Sequence, residues 1–195
     1  TGVYLSIITQ AMTFALMLAR HPESLDPPLP LLLFVLLSSL TSAFKIQFPI
    51  ASGSNMSVSY VVDIASLILR GPHATMIVGA ASGWSQTTLN SRTRNPAYRT
   101  LFNMACLVVT VQTAGQVYQR LGGTPRPDLS GIGVLVPLTG MALTYFVVNT
   151  TPIAVAIALT TSQNAWHVWK TDFLSSLSSY VLGVAAAAVV IAVTE

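Results

Sequence analysis

The sequence predicts an all-α, polytopic integral membrane protein: one transmembrane domain over 1–195, with six or seven spanning helices and one short extended or hairpin loop at about 45–57. Three observations predict it. Of the residues, 52% are hydrophobic and only 8% charged, against about 25% charged in a soluble protein. Nine Lys and Arg and six Asp and Glu leave uncharged runs at 1–19, 27–44, 46–62, 71–91, 100–119, 129–169 and 173–194. Several of these reach the roughly 20 apolar residues that a helix needs to cross the hydrocarbon core. The runs are continuously apolar, whereas the strands of a membrane barrel alternate, and only helices and closed barrels satisfy their backbones in lipid.

The first span is expected at about 2–19, ending at Arg20 and His21. It has neither a basic leader nor a small-residue cleavage site, so it reads as a retained helix and not a signal peptide. Pro22 to Pro30 carries Glu23, Asp26 and further prolines, the mark of a water-facing loop. The second span, about 29–44, is short and intensely apolar. Lys45 to Ser57 alternates, contains Pro49 and ends in Gly and Ser, which predicts an extended segment. Helices follow at about 57–70 and 72–90, divided by Gly71–Pro72, a pair that suits either a tight turn or a kink. The segment 57–70 is short for a crossing. Asn95 is the expected N-cap and Pro96 the first residue of a span at about 97–119. Beyond the turn-rich segment from Gly122 to Ser130, a span at 131–149 is expected to be interrupted by Asn149–Thr–Thr–Pro152, with a continuation or half-helix to 162. Trp166, Trp169 and Lys170 suit a membrane interface, and the last span is expected at 173–193.

Asp63 stands inside the apolar run VSYVVDIASLILR. An ionisable residue in a span is costly and marks a candidate site. Ser59 and Tyr60 lie a turn before it, placed to donate hydrogen bonds, and Arg70 lies seven residues after it on the same side. The residue reads either as a ligand-facing or proton-accepting carboxylate in a polar cavity, or as one half of an interhelical salt bridge with Arg99. Arg92, Arg94 and Arg99 form a basic cluster that suits an anionic ligand at a helix start, or lipid headgroups. Asn103, Gln112 and Gln116 either line a cavity or join helices by hydrogen bonds. Trp84, Ser85, Gln86, Thr144, Tyr145 and Asn149 add further polar positions. Gly79 and Gly83 make a small-xxx-small packing motif, and Gly183 opens a second small-residue face.

Catalytic motifs, nucleotide loops and paired carboxylates are missing from the sequence, so no enzyme is expected. No cofactor and no metal site is predicted. His73 or His167 offers at most single-ligand chemistry toward a tetrapyrrole, and Cys106 reads as an apolar filler. The net charge of +3 suits anionic lipid and gives no argument for nucleic acid.

The stretches SNMSVSYVVDIASLILRGPHATMIVGAASGWSQ, RNPAYRTLFNMA, TYFVVNT and WHVWKTDFLSSLSSYVLG resemble the N-terminal multi-span membrane module of bacterial HD-GYP and GGDEF signalling proteins. The shape is similar to the S components of energy-coupling-factor transporters. The resemblance covers roughly 29–183 and falls on Ser57, Ser59, Tyr60, Asp63, Arg94, Asn95, Pro96, Tyr98, Arg99, Asn103, Tyr145 and Asn149. It implies a non-catalytic sensory or small-molecule-binding module in the bacterial cytoplasmic (inner) membrane, with the lipid bilayer, other membrane chains and an unidentified small ligand as partners. Glu195 follows the last span directly without an output domain, which leads to the expectation of signalling through a partner or of a changed role. Two alternatives stand beside this one: an accessory subunit of a photosynthetic or respiratory membrane complex, and an S-component-like transport subunit.

Overall fold

The computed structural model describes residues 2–20, 28–43, 45–47, 55–57, 59–89, 96–125, 127, 132–177, 180 and 182–186. Helices dominate: α1 (Gly2–Arg20), α2 (Pro28–Ala43), α3 (Ser59–Thr88), α4 (Ala97–Arg120), α5 (Leu135–Thr161) and the short α6 (Ala165–Val168). Two three-residue strands, β1 (Lys45–Gln47) and β2 (Asn55–Ser57), pair antiparallel with Ile46 opposite Met56. Among the described residues, three helices are long and apolar enough to cross a membrane by length and composition: Ala97–Arg120, Leu135–Thr161 and, counted end to end, Ser59–Thr88.

The 30-residue α3 is not one straight rod. Gly71 adopts φ 80°, ψ 173°, and Pro72 follows it. That backbone region is open to glycine and closed to residues with a side chain. The chain reverses there. Ser66 Oγ lies 3.0 Å from Thr75 Oγ1, and Ser82 Oγ donates to Ser59 Oγ at 2.9 Å. In a continuous helix the second pair would be about 34 Å apart at 1.5 Å per residue. The two arms, 59–70 and 72–88, therefore form an antiparallel helical hairpin of about 18 Å and 25 Å. Thr75 Oγ1 donates to the Gly71 carbonyl at 2.8 Å and ties the reversal to the second arm.

This hairpin is the centre of the bundle. A Cβ on Gly115 would lie 2.6 Å from Pro72 Cβ, one on Gly83 would lie 2.8 Å from Met104 Cα, and one on Gly79 would lie 3.5 Å from the Leu107 carbonyl oxygen. The second arm and α4 thus run antiparallel at close approach, which small residues make possible. α5 returns along α4, with Gly140 against Leu121 and Val117, and with Ala156 in a cluster with Phe102 and Cys106. The main core joins Ile64, Leu67, Ile68, Met76, Val111, Met141, Tyr145 and Phe146. The leucines at 29, 32, 33, 36, 37 and 40 of α2 are exposed, as suits a lipid-facing surface.

Several boundaries differ from the sequence reading. α5 runs unbroken through Asn149 and Pro152. A proline removes one ladder hydrogen bond, and neighbouring helices support the gap in a packed apolar bundle. Helical geometry resumes at Ala165, before the expected start at 173, and passes through a π turn (Trp169–Phe173) and a 3-10 turn (Leu174–Ser176). Residues 177, 180 and 182–186 are helical and are called the last segment below. Pro96 occupies the N-cap position of α4 with extended ψ, and is not its first helical residue. Asn95, the expected cap, lies outside the described residues.

Candidate functional site

Asp63 is fully buried on the first arm of the α3 hairpin. The pairing across the hairpin puts it level with Val78, and the packing of Gly79 on Leu107 and Val111 puts that level near the middle of α4. Ser38 Oγ of α2 donates to Asp63 Oδ1 at 2.8 Å, and the Tyr145 hydroxyl of α5 donates to Oδ2 at 3.0 Å. Ser38, Asp63 and Tyr145 are each 0% exposed. One carboxyl thus joins three helices deep in the bundle, with a donor for each oxygen, as a buried polar group requires.

An aromatic layer extends from this point to the last segment. Tyr180 packs its ring 5.8 Å from that of Tyr145, 5.3 Å from that of Phe146 and 5.2 Å from that of Tyr60. Asn149 Nδ2 donates to the Tyr180 hydroxyl at 2.8 Å. Gly183 gives Tyr60 its place: a Cβ there would lie 1.9 Å from Tyr60 Cε2. Below this layer Trp169 Nε1 donates to Thr150 Oγ1 at 2.9 Å, and Trp166 stacks on Trp169 with centroids 5.4 Å apart. Trp166 and Lys170 are exposed.

Other candidates fall elsewhere. Ser59 accepts from Ser82 and, at 3.3 Å, from Gln86 Nε2. Tyr60 meets Tyr180 and Gly183. Asn103 Nδ2 donates to the Gly83 carbonyl at 3.0 Å and joins α4 to the hairpin. Ser85 Oγ donates to the Ser39 carbonyl at 2.8 Å, and Thr144 to its own helix at Gly140. Arg99 is exposed in the first turn of α4, about ten residues along the helix from the level of Asp63, so the Asp63 carboxyl takes its hydrogen bonds from Ser38 and Tyr145 in place of an Arg99 ion pair. Arg92 and Arg94 lie outside the described residues. His73 is half-buried beside the hairpin reversal and His167 is exposed; among the described residues no three potential metal ligands group together.

Ser38 does not stand out in the sequence as a candidate. Its signal is the run of hydroxyls at 38, 39, 41 and 42 inside an otherwise leucine-rich helix. Thr41 and Ser42 return their hydrogen bonds to their own helix at Leu37 and Ser39, whereas Ser38 reaches across to Asp63.

A bundle with long apolar helices and a hydrogen-bonded carboxyl in its middle defines a helical membrane protein built around an internal polar hub. The chain belongs to the MASE9 family, of membrane-associated sensor-type domains, whose model matches residues 12–194. No curated protein and no solved structure matches the chain.

Proposed function

We propose that this chain is a multi-pass, non-catalytic sensory module of the bacterial cytoplasmic membrane, in which the Asp63 hub holds the last segment in one of two positions. The observation that carries the reading is the double hydrogen bond from Ser38 and Tyr145 to a fully buried carboxyl. Intramembrane carboxylates are retained where they bind, relay protons or switch. On this reading the bonded triad across α2, α3 and α5 acts as the switching element: losing either donor would leave a buried oxygen unsatisfied and favour another arrangement. The last segment is tied to that triad through Tyr180 and through Tyr60 on Gly183.

On this reading the chain crosses the membrane six or seven times, the short first arm of the α3 hairpin deciding the count. Its partners are the bilayer and an output-bearing segment or chain of the cyclic-di-GMP type, and nucleic acid is not among them. The experiment places spin labels at Leu36→Cys and Leu182→Cys, both on exposed positions, in a Cys106→Ala background in lipid nanodiscs. The inter-label distance distribution is then compared with and without Asp63→Leu. A shifted or split distribution supports the switch. Superimposable distributions in a protein that remains folded would remove it.

A further inference from the structure

Asp63 stands in a row of polar side chains. Ser59, Asp63 and Ser66 recur at spacings of four and three residues along the first arm of α3, which sets them on one face of the helix. That face meets the second arm: Ser66 Oγ lies 3.0 Å from Thr75 Oγ1, and Ser82 Oγ donates to Ser59 Oγ at 2.9 Å. Gln86, one turn beyond Ser82, donates from Nε2 to Ser59 at 3.3 Å and to Ser82 at 3.2 Å. Ser59, Asp63, Ser66, Thr75 and Ser82 are each no more than 2% exposed. The interface between the two arms is therefore a polar seam inside an apolar bundle.

The seam is closed at one end and open at the other. At the reversal Thr75 turns its hydroxyl back onto the Gly71 carbonyl, and a Cβ on Gly115 of α4 would lie 2.6 Å from Pro72 Cβ. At the other end Gln86 is half-buried between the exposed Trp84 and Thr88. From that end to the level of Asp63 is eight residues of the second arm, about 12 Å. Ser59 and Asp63 are one turn apart, with about 5–6 Å between Cβ atoms, which one bridging water spans with two hydrogen bonds. Titratable groups around the carboxyl are few. α2 carries none, α5 only Tyr145 and the second arm only His73; the first arm adds Tyr60 and Arg70, α4 behind it Cys106 and Tyr118, and the last segment Tyr180. Both bonds to Asp63 come from neutral hydroxyls, and Ser38, Asp63 and Tyr145 are each 0% exposed. The ligand that neutralises such a carboxylate without needing room is a proton.

We propose that the hairpin seam is a one-sided proton path, through which Asp63 takes up a proton from the aqueous phase at the Gln86 end of the bundle and returns it there. An incoming proton passes over the Ser82 and Ser59 hydroxyls, each of which accepts one proton and gives up another, and a bridging water hands it to the carboxylate. The relay is left unchanged, water supplies the proton, and the carboxylate becomes a neutral acid. The path rests on the Asp63 hub proposed above and names its input. A proton on Oδ2 makes that oxygen the donor in the 3.0 Å contact with Tyr145, and the Tyr145 ring packs on Tyr180 of the last segment.

The test is infrared difference spectroscopy of the full chain in lipid nanodiscs, following the carbonyl stretch of a protonated carboxyl through a pH jump. The chain has six acidic residues, so Asp63→Asn assigns the band. A band that appears on acidification, is missing in Asp63→Asn and shifts in Tyr145→Phe is expected. Ser82→Val and Ser82→Thr then form a matched pair of one shape, of which only threonine keeps the hydroxyl. The band is expected to rise about tenfold more slowly in the valine variant, the rate equivalent of one lost hydrogen-bonded step. Ser66→Ala, on the closed side, is expected to leave the rate unchanged. Absence of any band sensitive to Asp63→Asn overturns the proposal. So do equal rates for the valine and threonine variants, or slowing by Ser66→Ala alone. Spin-label distances read under the same pH jump separate this path from the switch. An Asp63 band with unmoved labels upholds the path and removes the switch, whereas labels that move in Asp63→Leu with no such band remove the path and leave the switch standing.

Discussion

The edge of the Tyr60 ring abuts Gly183: a Cβ at position 183 would sit 1.9 Å from Tyr60 Cε2 and 2.7 Å from Cζ. No side chain fits there unless the ring moves, and the ring is also in contact with Tyr180, 5.2 Å between centroids. Gly183→Ala is therefore expected to lower thermal stability by an overpacking cost of about 1–3 kcal/mol. In a Tyr60→Ala background the same change is expected to cost far less, because the clashing ring is gone. Melting curves of the four proteins in one detergent check this as a double-mutant cycle, and additive effects would refute the contact.

Ser38 and Tyr145 share one acceptor group, Asp63, through its two oxygens. Ser38→Ala and Tyr145→Phe are each expected to cost about 0.5–2 kcal/mol, the range for interhelical hydrogen bonds in membranes and for buried polar groups left unpaired. The pair is expected to be non-additive, since the first loss already loosens the hub. Chemical unfolding of singles and double in mixed micelles measures the coupling, and a coupling of zero would show that the carboxyl does not link α2 to α5.

Much of the helical pattern is legible in the sequence, and the reason is charge. α4 ends at Arg120, and Pro96 stands before its first residue, so a proline and the uncharged run 100–119 closed by an arginine already outline it. The direction of the chain after Gly71 is not legible, because a Gly–Pro pair suits both a kink and a reversal. Only the pairing of Ser66 with Thr75 and of Ser59 with Ser82 decides it. Asn149 and Pro152 read as a break, yet α5 continues, because the packed bundle tolerates the missing ladder bond. Of the hub, Asp63 and Tyr145 stand out as polar residues in apolar runs. Ser38 does not, since a serine in an apolar helix usually returns its hydroxyl to its own backbone, as Ser42 does here. Long-range pairing distinguishes the two, and local sequence does not carry it.

The reversal at Gly71 rests on a backbone conformation and not on space: a Cβ there would meet no atom within 4 Å. Gly71→Ala therefore isolates the backbone term. With φ at 80° and ψ at 173°, alanine is expected to cost about 1–3 kcal/mol. It is expected to weaken protection of the amides in both arms together, since one turn holds them. Thermal melts joined to hydrogen exchange on the 59–88 peptides check this, and an unchanged melting point would mean that the turn relaxes freely.

Gln112 gives a prediction of opposite sign. Its Oε1 is buried without a partner among the described residues, and such a group carries a desolvation penalty of about 1–3 kcal/mol. Replacing it by leucine, of similar size and wholly apolar, removes the penalty. The protein is then expected to become more stable, by about 1 kcal/mol after some loss of packing fit. Most core changes destabilise, so a rise in melting temperature for Gln112→Leu is diagnostic. Gln112→Glu is expected to do the reverse, because it puts a charge on a buried position in the middle of α4. Melting both variants beside the parent protein in lipid-free detergent gives the comparison. A destabilised Gln112→Leu variant would mean that the amide is already satisfied within the bundle.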